Sequence, residues 1–375
     1  MPCFALLAVA AQAAALSQWL KLPDINPGTF TRRDAATATG AALTAAAPVA
    51  ASASQKTASR RAGDVQQWPR IPVWPSWAGG RVIPMGLPNA DPFLLVAHHK
   101  HWFDPRDPLR GPFRAFGKAT GLPYIDVEGF SMHPHRGFDI LTYVLDGSDG
   151  FRHRDSLGGS KTYRGGSAQW MRTGSGAQHE EFWETSDERR TSIELFQVWV
   201  NLPASQKFDP PSIRYLGAAH GAPWHEEVVD GTRIRTVLDE NIVAAASDGE
   251  GATPNQRPRA EVLHAWIPAG GKWAPKVGAD SSCSLYCREG QVTVPGPGGG
   301  QVTVKAGESC GFASGADAIS CTNAARGESD VLLLVGERLR EPVAMGGPIV
   351  MNYDWEIDEA YRELQAGTFL KRRKS

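Results

Sequence analysis

The sequence predicts an all-β protein built from short strands and tight turns. Glycine and proline are abundant, with 40 and 27 residues in a chain of 375, and both favour turns over long helices. Apolar runs of strand length alternate with turn signals; the run over residues 138–145, for example, ends at Asp146-Gly147. The hydrophobic content of 42% is ordinary for a globular protein, and the length allows two domains plus a tail.

The charge balance argues against two classes of partner. The formal net charge is −1, so there is no electrostatic basis for direct binding to nucleic acid or to an anionic membrane. The basic cluster Lys371-Arg372-Arg373-Lys374 is expected to be a solvated tail rather than a phosphate-binding patch. The apolar stretch over residues 4–20 is rich in alanine and interrupted by polar residues, so no membrane span is expected.

Residues 1–63 have the composition of a disordered targeting segment. Ala, Ser and Thr dominate, Asp24 and Asp34 are the only acidic residues, and several arginines, Arg60 and Arg61 among them, supply positive charge. We expect a transit peptide, removed on import into an organelle such as a chloroplast, and a soluble mature protein. The pair Arg32-Arg33 before an apolar run is typical of a twin-arginine signal to the thylakoid lumen. A chance arginine pair, mitochondrial import and bacterial export are the alternatives.

The cysteines predict buried thiols rather than a disulfide framework. Cys283, Cys287, Cys310 and Cys321 fall in the C-terminal half without a CxxC pair. Free cysteines usually fill a core in such a chain. A zinc site is the weaker alternative, since no histidine follows His264.

Two pairs of metal-ligand residues carry the functional signal. His133 and His135 lie two residues apart beside one strand-like run, and His179 and Glu181 repeat the spacing beside another. Side chains at i and i+2 share one face of a strand, so four donor groups converge if the two strands are neighbours. Such a set suits iron, manganese, nickel or copper, and octahedral coordination would leave about two positions for substrate or dioxygen. For either pair alone, polar groups on an exposed strand are the alternative.

The motifs HPHRGFDILTYVLDG, HRDSLGG, QWMRTGSGAQHEE and LFQVWVNLP occur in this order along the chain. Together they resemble the pirin family of bicupins in the cupin superfamily, from about residue 91 to the C-terminus. The resemblance implies two tandem cupin (jelly-roll-like) β-barrels with a short C-terminal helix. It also implies the metal ligands His133, His135, His179 and Glu181, the same four that the spacing selects.

The predicted domains follow from the motifs and from composition. They are a targeting segment at 1–63, a metal-binding barrel at 64–216, a connector at 217–259, a degenerate barrel at 260–340 and a tail with the helix at 341–375. The second barrel has no histidine pair where the first has HPH, so no metal site is expected there. Asp354 is expected to cap the C-terminal helix and Gly367 to stop it.

Other polar residues near the motifs are expected to support the structure. Asp139 stands where many cupins have a ligand carboxylate, but pirins do not use that position, so we expect it to support the ligands or the fold. His153 is expected to bond a loop carbonyl or a metal ligand rather than the metal. His98, His99 and His101 are expected to be solvated or hydrogen-bonded.

The resemblance implies two functional classes. Some pirins are quercetin 2,3-dioxygenases, which predicts a Fe²⁺-dependent enzyme that opens a flavonol ring with dioxygen, with Glu181 as a candidate base. The alternative is a non-enzymatic, metal-loaded, redox-sensitive regulator that binds a protein partner. An organelle-type leader fits the enzyme better than a nuclear regulator. The loop over residues 104–122 is expected to shape access to the metal.

Overall fold

The computed structural model describes residues 59–67, 90–108, 115, 119, 129–246 and 257–371, with two short strands at 71–72 and 81–85. The expectations for residues 1–58, and those for most of the loop at 104–122, fall outside this range. Within it, no helix combines the length and the apolar character needed to cross a membrane.

We number the strands and α-helices of the described residues in chain order. The strands are β1 (Ala62–Gln67), β2 (Ile71–Pro72), β3 (Arg81–Met85), β4 (Phe93–Phe103), β5 (Gly129–His135), β6 (Phe138–Val144), β7 (Phe151–Asp155), β8 (Ser160–Tyr163), β9 (Ser167–Arg172), β10 (Ala177–Trp183), β11 (Thr191–Asn201), β12 (Ser212–Leu216), β13 (His225–Val229), β14 (Thr232–Leu238), β15 (Ala260–Ile267), β16 (Lys272–Trp273), β17 (Ser282–Glu289), β18 (Gln291–Pro295), β19 (Gln301–Lys305), β20 (Glu308–Phe312), β21 (Cys321–Asn323), β22 (Ser329–Gly336), β23 (Ala344–Gly346) and β24 (Ile349–Met351). The helices are α1 (Glu240–Ala245) and α2 (Asp354–Gln365). Short 3-10 helices span Ala204–Gln206, Ala218–His220 and Pro297–Gly299.

The strands form two barrels on the same plan, which confirms the predicted all-β fold with two cupin domains. In the first, a sheet ordered β12-β9-β6-β11-β4-β3-β2 packs against one ordered β5-β10-β7-β8. In the second, the sheets are β1-β20-β17-β22-β15-β14-β13 and β16-β21-β18-β19. An apolar core fills each barrel, because alternate side chains along the strands point inward. The second core includes the four free cysteines, as expected.

The barrel boundaries differ from the predicted ones at two places. β1 pairs with β20, so residues 62–67 belong to the second barrel's sheet rather than to the first barrel. β13 and β14, inside the predicted connector at 217–259, extend the same sheet beyond β15. Strand pairing joins segments far apart in sequence and covers exposed edges, whereas composition reports only local character.

Arg60 shows that the predicted leader at 1–63 extends too far. This residue, interpreted above as targeting charge, is 2% exposed. Its guanidinium donates to the carbonyl oxygens of Ala316 at 2.7 Å, of Ser281 at 2.8 Å and of Gly278. Its backbone N–H donates to Ala318 at 2.8 Å. Residues 59–63 are therefore part of the folded second barrel.

A partly buried charge network joins the two barrels. Glu194 of β11 accepts from Nε of Arg288 on β17 at 2.8 Å, and it lies 2.8 Å from Nε2 of His98 on β4. Arg288 also donates to Asp330 at 2.7 Å. Burial alone would raise the pKa of Glu194, but the hydrogen bonds from His98 and Arg288 and their charges outweigh it and hold that pKa well below its usual range. Of the two expectations for His98, solvated or hydrogen-bonded, the second is correct. Its Nδ1 also lies 2.9 Å from the hydroxyl of Tyr286.

The C-terminal tail packs against the first barrel beside β5. Val350 of β24 lies in the first barrel's core, and its N–H donates to the carbonyl of Arg136 at 2.9 Å. The Arg136 guanidinium pairs with Glu363 of α2 and lies 4.3 Å from the ring centroid of Phe369. Gly137 permits this approach, since a Cβ there would lie 1.9 Å from the Val350 oxygen. The tail thereby holds the chain that follows His135.

Helix α2 forms where the sequence predicts it, but with a different cap. Ile357 and Ala360 face the core, as the apolar periodicity indicates. Asp354 is the first helical residue rather than the cap, and the N–H of Tyr353 donates to the Glu356 carboxylate at 3.0 Å. In a capping box the carboxylate of the third helical residue accepts from the backbone N–H of the cap residue, so Glu356 rather than Asp354 supplies the capping carboxylate.

We predict that Arg60→Ala lowers the free energy of unfolding by about 2–4 kcal/mol, because three carbonyl oxygens lose a charged donor. Urea unfolding of the full chain measures this. Arg61→Ala is the matched control, because Arg61 is exposed. Equal stability of the two variants would contradict the structural role of Arg60.

We predict that Glu194→Gln destabilises the protein by about 2–4 kcal/mol at pH 7 and that this difference shrinks in acid. The folded-state pKa of Glu194 lies below the ordinary value of 4.5. The carboxylate's contribution to the free energy of unfolding is therefore complete above pH 4.5. The contribution is then lost as the pH falls through the folded-state pKa. Urea unfolding at pH 7, 5, 4 and 3 measures the difference, with Glu227→Gln on exposed β13 as control. A difference that stays constant over this range would contradict the assignment.

Candidate metal centre

The pairing of β5 with β10 brings the predicted ligands together. His133 lies opposite His179, and His135 lies opposite Ala177. The register then shifts, so that Glu181 lies opposite Phe130. A bulge of this kind re-aims side chains locally. The burial of β10 alternates along the strand, and His179 and Glu181 both point into the barrel.

Three imidazoles converge within coordination distance. Nε2 of His135 lies 3.1 Å from Nε2 of His179. The ring of His133 lies 4.4 Å from that of His179 and 4.7 Å from that of His135, between centroids. One ring nitrogen from each of the three residues falls within 4.8 Å of the other two. The two-residue spacing of the histidines predicts this convergence for strands that are neighbours.

Glu181 belongs to a second, overlapping set that the sequence reasoning missed. Its carboxylate lies within 4.8 Å of ring nitrogens of both His179 and His153. His153 lies opposite Glu181 on β7, and its Nε2 is 2.9 Å from the Asp155 carboxylate and 3.2 Å from the Gln169 amide. The sequence does contain a signal for the position of His153. In the motif His153-Arg154-Asp155 the first and third side chains lie on the same, inward face of the strand.

Backbone carbonyls orient two of the imidazoles. Nδ1 of His133 lies 2.8 Å from the carbonyl oxygen of Ser131, and Nδ1 of His135 lies 3.2 Å from that of Pro348. A carbonyl only accepts, so each Nδ1 carries the proton and each Nε2 presents its lone pair. The tail residue Pro348 therefore fixes the tautomer of a candidate ligand in the first barrel.

Burial sets the charge state of the cluster. It lowers the pKa of His135 and His179 well below the usual range, and that of His133 as well, so all three are neutral at pH 7. Burial raises the pKa of Glu181. Within the described part of the chain, Oε1 of Glu181 and Nδ1 of His179 are buried without a hydrogen-bond partner. Neutral imidazoles and an under-bonded carboxylate are the donor set that a divalent cation requires.

Aromatic side chains surround the cluster on its inner side. The ring of His135 lies 5.4 Å from Phe138 and 5.6 Å from Trp199, between centroids. His133 is half-buried, and the neighbouring Met132 is 39% exposed. The cluster is therefore bordered by apolar rings on the side of His135, and it is accessible to solvent on the side of His133.

The other polar candidates lie elsewhere. Asp139 is buried against Arg172 on the neighbouring strand β9, with contacts of 3.2 and 3.3 Å, and it belongs to neither ligand set. His99 and His101 are bonded to each other at 3.2 Å and are buried rather than solvated.

Comparison with known proteins follows the same two-barrel division. Residues 86–200 match the family model for pirin, and residues 262–370 match that for the pirin C-terminal cupin domain. A candidate quercetin 2,3-dioxygenase of Pseudomonas aeruginosa is 32% identical over 248 residues, which cover 64% of this chain and 80% of that protein. A pirin-like protein of Caulobacter vibrioides is 32% identical over 298 residues, covering 78% and 94%.

A solved structure shares the architecture. It is titled as a quercetin 2,3-dioxygenase from Acinetobacter baumannii, has 25% sequence identity and a TM-score of 0.63, and covers 83% of this chain and 99% of its own. Both barrels and both family models thus agree, and the chain belongs to the pirin family.

Proposed function

We propose that this protein binds one divalent transition metal, most suitably Fe²⁺, and opens a flavonol ring with dioxygen in the manner of a quercetin 2,3-dioxygenase. His133, His135, His179 and Glu181 would hold the metal. The relatives named for this activity supply the reaction class. Three imidazoles and one carboxylate suit iron, and this ligand number leaves open positions on an octahedral ion.

One contact carries the metal proposal. The two Nε2 atoms of His135 and His179 face each other at 3.1 Å. The Nδ1 proton of His135 is committed to Pro348, so its Nε2 is a lone pair. His179 either donates Nε2–H to this lone pair or, with its proton on Nδ1, presents a second lone pair, and in that tautomer one cation can accept from both atoms.

The bound metal would supply Lewis-acid activation of the flavonol 3-hydroxyl and a position for dioxygen. The protein supplies the proton acceptor. Glu181 is buried, its pKa is raised, and one of its carboxylate oxygens has no partner among the described residues. Gln197 stands 3.4 Å from the other oxygen. Glu181 can therefore accept the hydroxyl proton while Gln197 holds its orientation.

A protein-binding role is the second candidate, and one surface favours it. Tyr353 and Trp355, at the start of α2, are 53% and 60% exposed, and their rings stack at 6.5 Å. Exposed aromatic side chains are frequent anchors in protein interfaces. A metal-loaded regulator would use this face to bind its partner.

The test is iron-dependent loss of quercetin. We expect the full chain, stripped of metal and reloaded with Fe²⁺ without oxygen, to consume quercetin when air is admitted and to release carbon monoxide. His135→Ala and His179→Ala should lower iron affinity by more than about 100-fold and abolish turnover, because each removes a ligand. His225→Ala is the control, since that imidazole is exposed on β13.

The two parts of the proposal fail separately. Stoichiometric iron without turnover would contradict the dioxygenase and favour the protein-binding role. Iron binding that is unchanged in His135→Ala and His179→Ala would contradict the metal centre itself.

A further inference from the structure

Three buried polar atoms lie close together beside the candidate ligands, each without a hydrogen-bond partner among the described residues. They are Nδ1 of His153, Nδ1 of His179 and Oε1 of Glu181. Their side chains form the second set described above, in which one nitrogen or oxygen of each residue lies within 4.8 Å of the other two. The three residues are 2%, 1% and 5% exposed. An unpaired polar atom is unfavourable at such depth, so each of the three needs a partner when the metal is bound.

Asp155 fixes the position of the proton on His153. Oδ1 of Asp155 accepts from the backbone N–H groups of Leu157 at 2.7 Å and of Gly159 at 3.1 Å. Its other oxygen, Oδ2, lies 2.9 Å from Nε2 of His153, and both side chains are fully buried. A carboxylate only accepts. The neutral imidazole of His153 therefore carries its proton on Nε2, and its Nδ1 is a lone pair.

The amide of Gln169 is compatible with this tautomer. Its nitrogen lies 3.2 Å from Nε2 of His153. The oxygen and the nitrogen of an amide occupy nearly the same space, so a half-turn of the amide brings the oxygen to this position instead. Asp155 and Gln169 then both accept from the Nε2–H of His153, and its Nδ1 stays an acceptor.

Coordination of a metal determines the tautomer of His179. Its Nε2 faces Nε2 of His135 at 3.1 Å, where one cation can accept from both nitrogens. A neutral imidazole that binds a cation through Nε2 carries its proton on Nδ1. The buried Nδ1 of His179 is then a donor, whereas its two unpaired neighbours, Nδ1 of His153 and Oε1 of Glu181, are acceptors.

One donor and two acceptors leave one acceptor for the cation. The anionic carboxylate of Glu181 neutralises part of the charge of a divalent ion, which the neutral ring of His153 cannot do. Glu181 is therefore the acceptor that binds the metal, and His153 is the one that remains for the N–H of His179. The two rings are neighbours, with 5.3 Å between their centroids.

We infer that His153 is a positioning residue for the metal centre. Held by Asp155 with a lone pair on Nδ1, it accepts the Nδ1–H of His179, directs Nε2 of His179 at the metal and leaves Glu181 available to the metal and to the substrate proton. Such a hydrogen bond also makes the coordinating nitrogen more basic. The inference rests on the proposed metal centre and extends it to Asp155 and His153, which do not bind the metal.

Asp155→Asn tests the inference with almost no change of shape. The N–H groups of Leu157 and Gly159 hold the Asn oxygen in the place of Oδ1, so the Asn NH₂ group faces Nε2 of His153. Nε2 must then be the lone pair, and Nδ1 carries the proton. His153 no longer accepts from His179, and Glu181 becomes the remaining acceptor for that N–H. We expect the Zn²⁺ affinity of the full chain to fall about 10–100-fold.

Two measurements follow this change without any turnover. Zn²⁺ is the probe because it is diamagnetic and binds imidazole and carboxylate donors. Competition with a chromophoric chelator gives its affinity, and ¹⁵N-histidine NMR of the zinc-loaded full chain gives the tautomer of each imidazole. The wild type should show the proton of His153 on Nε2 and that of His179 on Nδ1, and Asp155→Asn should move the His153 proton to Nδ1. Asp358→Asn, on the exposed face of α2, is the matched control and should change neither result.

Two substitutions of His153 separate its role as an acceptor from its packing. Phe fills the space of the ring without an acceptor, so His153→Phe should lower the Zn²⁺ affinity about 10–100-fold while three imidazoles still bind the ion. The Gln side chain can donate to Asp155 and accept from His179, so His153→Gln should keep the affinity within about threefold of the wild type. Wild-type affinity in both Asp155→Asn and His153→Phe would overturn the inference, as would a wild-type spectrum with the proton of His153 on Nδ1.

These outcomes are distinguishable from failure of the proposed function. A protein that shows the expected tautomers and losses of affinity, but consumes no quercetin when loaded with Fe²⁺, keeps the inference and refutes the reaction. A protein that consumes quercetin and binds Zn²⁺ with wild-type affinity in both Asp155→Asn and His153→Phe keeps the reaction and refutes the inference. A wild type that binds neither metal refutes the metal centre, and with it the role of His153.

Discussion

The candidate metal centre depends on the register between β5 and β10. A slip of one residue would turn His179 and Glu181 to the outer face, because side chains alternate along a strand. β5 is an edge strand of its sheet, where Pro134 is tolerated but pairing is otherwise one-sided. The C-terminal tail compensates, since Val350 and Glu363 bind the segment that follows His135. The geometry of the ligands therefore depends on both the edge strand β5 and the C-terminal tail that holds it.

The second barrel has the same strand arrangement as the first but lacks the metal-ligand residues. There β16 pairs with β21 as β5 pairs with β10. Trp273 lies opposite Cys321 in that pair, whereas His133 lies opposite His179 in the first barrel. The described residues form no ligand set in that barrel. Its contribution is structural, through the partly buried contact between Glu194 and Arg288 and through the hydrogen bonds of Arg60. The wall of the first barrel that carries β4 and β11 thus rests on the second barrel.

The all-β class could be predicted from strand-length apolar runs and turn signals. The convergence of His133, His135 and His179 could be predicted from their spacing together with the resemblance to pirins. Three features could not. Arg60 resembles leader charge, and only its carbonyl partners, more than 200 residues away, reveal its role. The proximity of Glu181 to His153 depends on the pairing of β10 with β7. The burial of His99 and His101 depends on barrel closure, which no window of sequence contains.

Ligand counting by X-ray absorption and pulsed electron paramagnetic resonance tests the central claim most directly. The metal-loaded full chain should hold one ion with three imidazoles and a carboxylate oxygen. One imidazole should disappear in a metal-loaded His133→Ala protein, the carboxylate oxygen should disappear in Glu181→Ala, and His153→Ala should leave the count at three. A spectrum in which His153→Ala removes an imidazole while Glu181→Ala changes nothing would contradict the account, because His153 rather than Glu181 would then complete the site.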